Sequence, residues 1–139
     1  MNRYGVGVAA LLIGAVLSGC GSSTEPLVEH DIVGTWDWVE SSGGVAGTTQ
    51  TPETAGYTLQ VKFAQSGVVE VRRDGALETS TGYMVLVGVG SSSEWPDMVR
   101  YDEPVLGFEN QYVRFTGDDV MFLADGCCDG FVSRYVRGS

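Results

Sequence analysis

Two adjacent cysteines, Cys127 and Cys128, are the residues of this chain with the clearest capacity for covalent chemistry. Neighbouring cysteines can bond only through a small strained ring, and strained disulfides are reduced more easily than relaxed ones. Three states are open for this pair: a vicinal disulfide that stiffens the loop from Asp125 to Gly130, two partly buried thiols, or a bond to another chain. Redox catalysis is not expected, because Asp125 and Asp129 would raise the pKa of a neighbouring thiol.

Carboxylates gather around the last two predicted turns, at Asp118, Asp119, Asp125 and Asp129. Calcium is bound by several carboxylate oxygens, but this spacing matches no calcium loop, and aspartate is an ordinary turn residue. The sole histidine, His30, has no second histidine with which to form a metal or catalytic site. The chain also lacks a nucleophile elbow and a phosphate-binding loop. We therefore expect no catalytic residues, no metal, no cofactor and no enzymatic activity.

The third cysteine, Cys20, follows a segment with the pattern of an export signal. Residues 1–3 carry a positive charge, residues 6–17 are mostly apolar, and small residues stand immediately before Cys20. An apolar stretch of about 12 residues is shorter than the roughly 20 that span a hydrocarbon core. These features predict a secretory signal over residues 1–19 that is removed.

The sequence Leu-Ser-Gly-Cys that ends at Cys20 resembles the lipobox of bacterial lipoproteins. The resemblance implies cleavage before Cys20, a diacylglycerol on its sulfur and an acyl chain such as palmitate on its new amino group. Several acyl chains hold a protein on a membrane more firmly than one chain does. Gly21, where an aspartate would favour the inner membrane, favours the outer membrane in Gram-negative sorting. We expect a lipid-anchored protein of the cell envelope, with a lipidated tether over residues 20–30 and one domain over residues 31–139.

The composition limits the partners of that domain. The chain has 139 residues, with 8 lysines and arginines against 18 aspartates and glutamates, for a net charge of −10. An acidic surface repels nucleic acid, so no nucleic-acid partner is expected. The roughly 120 residues after the signal are enough for one domain with one core.

Alternation of apolar and polar residues dominates the pattern after the tether. Tyr57–Phe63 reads as a half-buried strand, and Asp74-Gly75 predicts a type I′ hairpin turn. Counting a first strand from Gly34, the pattern predicts an all-β, antiparallel, up-and-down meander of about eight strands that closes into a barrel. The polar stretch Ser41–Gly56 predicts a long irregular connection, either a lid across the barrel mouth or a loose surface loop.

A Gly-x-Trp motif ending at Trp36, with Arg134 and Arg137 near the chain end, resembles the lipocalin and fatty-acid-binding-protein superfamily. Over most of residues 32–137, the chain resembles the short lipocalin-like (calycin-type) lipoproteins of bacterial envelopes. The resemblance implies a closed barrel in which a late arginine lies across Trp36 in a cation–π contact, with Arg137 the first candidate and Arg134 the alternative. The Arg-x-Tyr order with which fatty-acid-binding proteins hold a carboxylate is absent, since the same-face pair is Tyr135-x-Arg137.

Inward-facing aromatic residues could either line a ligand cavity or fill the barrel, since an eight-stranded barrel is just wide enough for both. The candidate ligand-lining residues are Tyr57, Phe63, Tyr83, Phe131 and Tyr135. Two functions are therefore open. In the first, the barrel binds a small hydrophobic or amphipathic ligand. In the second, the barrel is filled and its surface contacts another envelope protein.

Overall fold

The computed structural model describes residues 32–126 and 130–139. The predicted signal, Cys20, the tether with His30, and the Cys127-Cys128 pair lie outside these ranges. Nine strands and one helical turn are present in the described ranges. They are β1 (Gly34–Gly43), β2 (Thr48–Gln50), α1 (Pro52–Ala55), β3 (Leu59–Phe63), β4 (Val68–Arg73), β5 (Ala76–Leu86), β6 (Asp97–Val105), β7 (Phe108–Thr116), β8 (Val120–Asp125) and β9 (Phe131–Arg137). No helix of these ranges has the length and hydrophobicity needed to cross a bilayer.

The sheet closes on itself through β1. Strands β3 to β9 follow one another as antiparallel neighbours, and β1 pairs with β3 on one side and with β9 on the other. Eight strands, β1 and β3 to β9, therefore form a closed barrel, and β2 pairs only with the end of β1. The predicted all-β antiparallel meander and its closure into a barrel are confirmed.

The predicted turn at Asp74-Gly75 is also confirmed. Both residues have positive φ, 49° and 81°, and they join Arg73 to Ala76 across the β4–β5 hairpin. Positive φ at both central residues is what a type I′ turn requires, and glycine and aspartate tolerate it better than most residues.

The prediction of an irregular connection over Ser41–Gly56 is wrong. Strand β1 continues past Ser41 and forms a hairpin with β2, because the serines and threonines here accept strand geometry on an exposed edge. Thr51 then caps the helical turn α1 through reciprocal hydrogen bonds with Thr54, and Gly56 ends it in the left-handed conformation with a φ of 77°. The segment is thus ordered.

The barrel interior is apolar at one end and polar at the other. The apolar end contains the largest fully buried apolar side chains, among them Trp36, Phe63, Val71, Met121 and Leu123. At the other end, the inward-facing position two residues away on the same strand is occupied by a polar side chain in four of the strands. These polar residues are Arg73 after Val71, Gln111 before Val113, Asp125 after Leu123, and Ser133 before Tyr135.

Candidate functional site

Trp36 and Arg137 close the apolar end of the barrel. The guanidinium carbon of Arg137 lies 4.3 Å from the centroid of the Trp36 ring, and its Nη1 donates a hydrogen bond to the carbonyl of Val33 at 3.1 Å. The predicted contact of Arg137 with the tryptophan is confirmed. The alternative, Arg134, lies on the other face of β9, where its Nε donates to Glu40 at 3.1 Å.

A cavity of about 590 Å³ occupies the polar end of the barrel and opens to solvent. Residues from all nine strands line it, and the β6–β7 turn forms part of its rim. Small-molecule sites are typically concave and between about 300 and 1,000 Å³. The size of this cavity is therefore that of a site for a small molecule.

Aromatic rings form one part of the wall. Trp38 and Tyr57 stack with their ring centroids 5.7 Å apart and their planes 19° apart. Arg73 lies over the Tyr57 ring at 4.1 Å, and its Nε donates to Glu78 at 3.0 Å. The positive charge at this side of the mouth is thus matched by a carboxylate and held on an aromatic face. The apolar part of the rim comes from Pro104, Leu106 and Phe108.

A cluster of hydroxyl groups forms a second part of the wall. The indole Nε1 of Trp38 donates to Ser41 Oγ at 2.8 Å, and Ser41 Oγ lies 2.7 Å from Ser133 Oγ. Tyr135 also lines the cavity, two residues after Ser133 on β9, and burial is the main cause that raises the pKa of its phenol far above the ordinary value. The register of β1 against β9 shifts between Trp38 and Glu40, which turns both Trp38 and Ser41 towards the interior.

A third part of the wall is a chain of hydrogen bonds that ends on a carboxylate. The hydroxyl of Tyr101 donates to Gln111 Oε1 at 3.0 Å, and Gln111 Nε2 donates to Asp125 Oδ1 at 3.2 Å. The backbone N–H of Phe131 donates to Asp125 Oδ2 at 2.9 Å. Burial raises the pKa of Tyr101 far above its ordinary value, so its hydroxyl stays a donor and fixes the direction of the chain. Asp125 is thereby oriented by two donors from different strands.

The structure divides the five predicted ligand-lining residues between the two ends of the barrel. Tyr57, Phe131 and Tyr135 line the cavity. Phe63 and Tyr83 instead pack together at the apolar end, with ring centroids 4.9 Å apart, and they are not part of the cavity wall. Tyr83 donates its hydroxyl to the carbonyl of Ala64 at 2.9 Å. Filling and cavity lining, which the sequence left as alternatives, thus both occur, at opposite ends.

The polar wall residues were not identified from the sequence as a site. They are Ser41, Gln50, Arg73, Glu78, Thr79, Gln111, Asp125 and Ser133. The signal that could have found four of them is a polar residue two positions before or after a buried residue on the inward face of the same strand. It recurs at the same end of β4, β7, β8 and β9. A single such position is uninformative, but the same change on four strands indicates a polar cavity.

Within residues 32–126 and 130–139, no three His, Cys, Asp or Glu side chains come together in a way that could hold a metal ion. The wall described above offers binding through aromatic faces, hydroxyls, two amides, a guanidinium and two carboxylates. Comparison of the chain with protein-family models, with curated proteins and with solved structures gives no significant match.

Proposed function

We propose that this protein is a lipid-anchored lipoprotein of the cell envelope whose lipocalin-like barrel binds a small amphipathic molecule. The observation that carries the binding proposal is the cavity of about 590 Å³ at the polar end of the barrel. Its wall combines stacked rings and apolar rim residues with hydroxyl, amide and carboxylate groups. A wall of this mixture suits a ligand with an apolar body and a polar head.

The anchor proposal is supported by the export signal and the lipobox-like sequence that ends at Cys20. It is tested by expressing the full chain in bacteria supplied with labelled palmitate. We expect the label on the wild-type chain and none on the Cys20→Ser variant, which cannot form the thioether. Fractionation of the membranes by density then distinguishes the outer from the inner membrane. Label that persists in the variant would contradict acylation at Cys20.

The binding proposal is tested by native mass spectrometry. The protein used consists of residues 20–139 with the substitution Cys20→Ser, and it is produced in an oxidising compartment. Without the lipid anchor it can be handled without detergent. We expect an additional mass from a co-purified molecule, or an increased melting temperature when amphipathic probes are added. A Ser133→Phe variant, which fills the cavity, should lose both effects. Ser80→Phe, which places the same ring on an exposed position of β5, serves as the control.

A bare mass, together with an unchanged melting temperature for anionic, neutral and cationic probes, would contradict ligand binding.

A second function, contact with another envelope protein, is favoured by a different surface. Met84, Val87 and Val89, at the end of β5 and in the following loop, are 53%, 71% and 52% exposed. A photoreactive residue at Val87 should then crosslink to a second protein in envelopes, whereas one at Thr116, on a different strand, should not.

A further inference from the structure

The formal charges that line the cavity do not cancel. Arg73 and Glu78 neutralise each other at 3.0 Å, whereas Asp125 has no cationic partner within residues 32–126 and 130–139. Lys62 and the remaining arginines of those ranges are not part of the cavity wall. The described wall therefore has one positive and two negative side chains and carries one net negative charge, which is located at Asp125.

Asp125 keeps hydrogen-bonding capacity for a ligand. An ionised carboxylate accepts at about four lone-pair sites, and the N–H groups of Gln111 and Phe131 use one on each oxygen. The carboxylate lines the cavity, so a bound molecule can reach the remaining sites. Burial, then Tyr135 and then the negative charge of Asp125 raise the pKa of Tyr101, and burial followed by Asp125 raises the pKa of Tyr135.

The aromatic wall attracts positive charge as well. The faces of tryptophan, tyrosine and phenylalanine rings are electron-rich and stabilise organic cations. Trp38, Tyr57, Phe131 and Tyr135 all line the cavity that contains Asp125. Tyr57 already holds the guanidinium of Arg73 at 4.1 Å, so this wall accommodates a cation within the protein itself.

In the described part of the wall, an anionic head group has no comparable partner. Arg137, on the last strand, lies at the opposite end of the barrel and is held by Trp36 and by the carbonyl of Val33. Arg73 is held by Glu78. A ligand carboxylate in the cavity would therefore be close to an unmatched negative charge, and like charges at short range repel.

From this arrangement we propose that the cavity selects organic cations, namely amphipathic amines or quaternary ammonium compounds. The ammonium group pairs with the carboxylate of Asp125, and the apolar part packs against Trp38, Leu59 and the rim. The proposal rests on the binding function proposed above and names the ligand class of the same site.

The test compares three probes that share a tail and differ in the head group: decylamine, decan-1-ol and decanoate. Each is titrated calorimetrically at neutral pH into residues 20–139 carrying Cys20→Ser, the two ionic probes below their micelle thresholds and decan-1-ol below its solubility limit. We expect decylamine to bind about tenfold more tightly than decan-1-ol, or better, because a charge-assisted hydrogen bond is added. Decanoate should bind most weakly of the three.

Variants assign the preference to one carboxylate. Asp125→Asn should reduce the affinity for decylamine to that for decan-1-ol, and Asp125→Glu should keep the preference for the amine. Asp119→Asn removes the same charge from an 83% exposed side chain at the opposite end of the barrel. It should keep the preference, which separates a specific contact from the attraction of an acidic protein for any cation.

Equal affinities for the three probes, or the same loss in Asp119→Asn as in Asp125→Asn, would overturn the cation proposal and leave the binding function standing. No binding of any probe would overturn both. Where Asp125→Asn does not fold, as judged by circular dichroism, the comparison of head groups on the unmodified chain and on Asp125→Glu decides the question.

Discussion

The guanidinium of Arg137 lies over the ring of Trp36 and also occupies the space that a side chain at position 34 would need. A Cβ built on Gly34 would be 2.5 Å from Nη1 of Arg137, and the φ of Gly34 is 140°. The indole Nε1 of Trp36 donates to the carbonyl of Ile32 at 2.8 Å. Arg137 of the last strand thus contacts the start of the first strand at the Trp36 ring and at the Val33 carbonyl, next to Gly34.

Truncation of the tryptophan should have a large effect on stability. Trp36 is fully buried, so Trp36→Ala leaves a cavity at the apolar end, and large aromatic truncations cost about 3–5 kcal/mol. Urea denaturation of the variant and the wild type measures the difference. Trp95→Ala, in the partly exposed loop before β6, is the control and should cost less. A loss below about 1 kcal/mol for Trp36→Ala would show that this residue does not close the barrel.

The steric relation between Gly34 and Arg137 predicts coupling between their variants. Gly34→Ala alone should destabilise the fold through both the contact with the guanidinium and the positive φ. In an Arg137→Ala background the contact is gone and only the backbone penalty remains. We expect the cost of Gly34→Ala to be smaller there, with a coupling energy of about 0.5–3 kcal/mol in a double-mutant cycle. Additive effects would mean that the arginine moves aside freely.

The buried phenols predict a loss of stability in alkali. Burial raises the pKa of Tyr101 and Tyr135 in the folded state, and both have ordinary values near 10 when unfolded. Above pH 10 the unfolded chain therefore releases protons that the folded chain retains, and unfolding becomes easier as the pH rises. The stabilisation is fully present below pH 10, and each phenol contributes a slope of up to about 1.4 kcal/mol per pH unit above it.

Urea denaturation between neutral pH and alkaline pH measures this slope. Tyr101→Phe should remove the contribution of one phenol to the slope of the unfolding free energy against pH. The double variant with Tyr135→Phe should reduce that slope further. The same slope in the wild type and the double variant would contradict the assignment to these two groups.

The hydrogen bonds from Tyr101 to Gln111 and from Gln111 to Asp125 predict that a second substitution restores part of the stability lost through the first. Gln111 is 4% exposed and accepts from the buried hydroxyl of Tyr101. Gln111→Leu leaves that hydroxyl without its partner, which costs about 1–3 kcal/mol. Adding Tyr101→Phe removes the unsatisfied group, so the double variant should be more stable than Gln111→Leu alone. Thermal unfolding of the two variants side by side tests this order, and the reverse order would show that the chain does not stabilise the wall.

Away from the irregularity in β1, alternation in the sequence predicted which of these side chains point inward, but not how deep they lie. Phe63 and Tyr57 share a face, yet one lies in the apolar core and the other in the cavity wall. Depth along the barrel depends on the register between strands, which a single strand does not encode. The shift between Trp38 and Glu40 has a further effect, because Ser41 would face outward in an unbroken alternation. A turn such as Asp74-Gly75 was predictable down to its type, because its conformation depends on the two residues themselves.

Strand β9 supplies both the arginine that closes the apolar end and the serine and tyrosine of the cavity wall. Its partner is the first strand, and the ion pair of Glu40 with Arg134 joins residues 94 positions apart. Contacts this distant in sequence form slowly, since a long loop must close before they are made. Until β9 has docked on β1, the folding chain therefore has neither a covered Trp36 nor a complete cavity wall. In refolding experiments we expect the tryptophan signal and the capacity to bind a probe to return together, in the final kinetic phase.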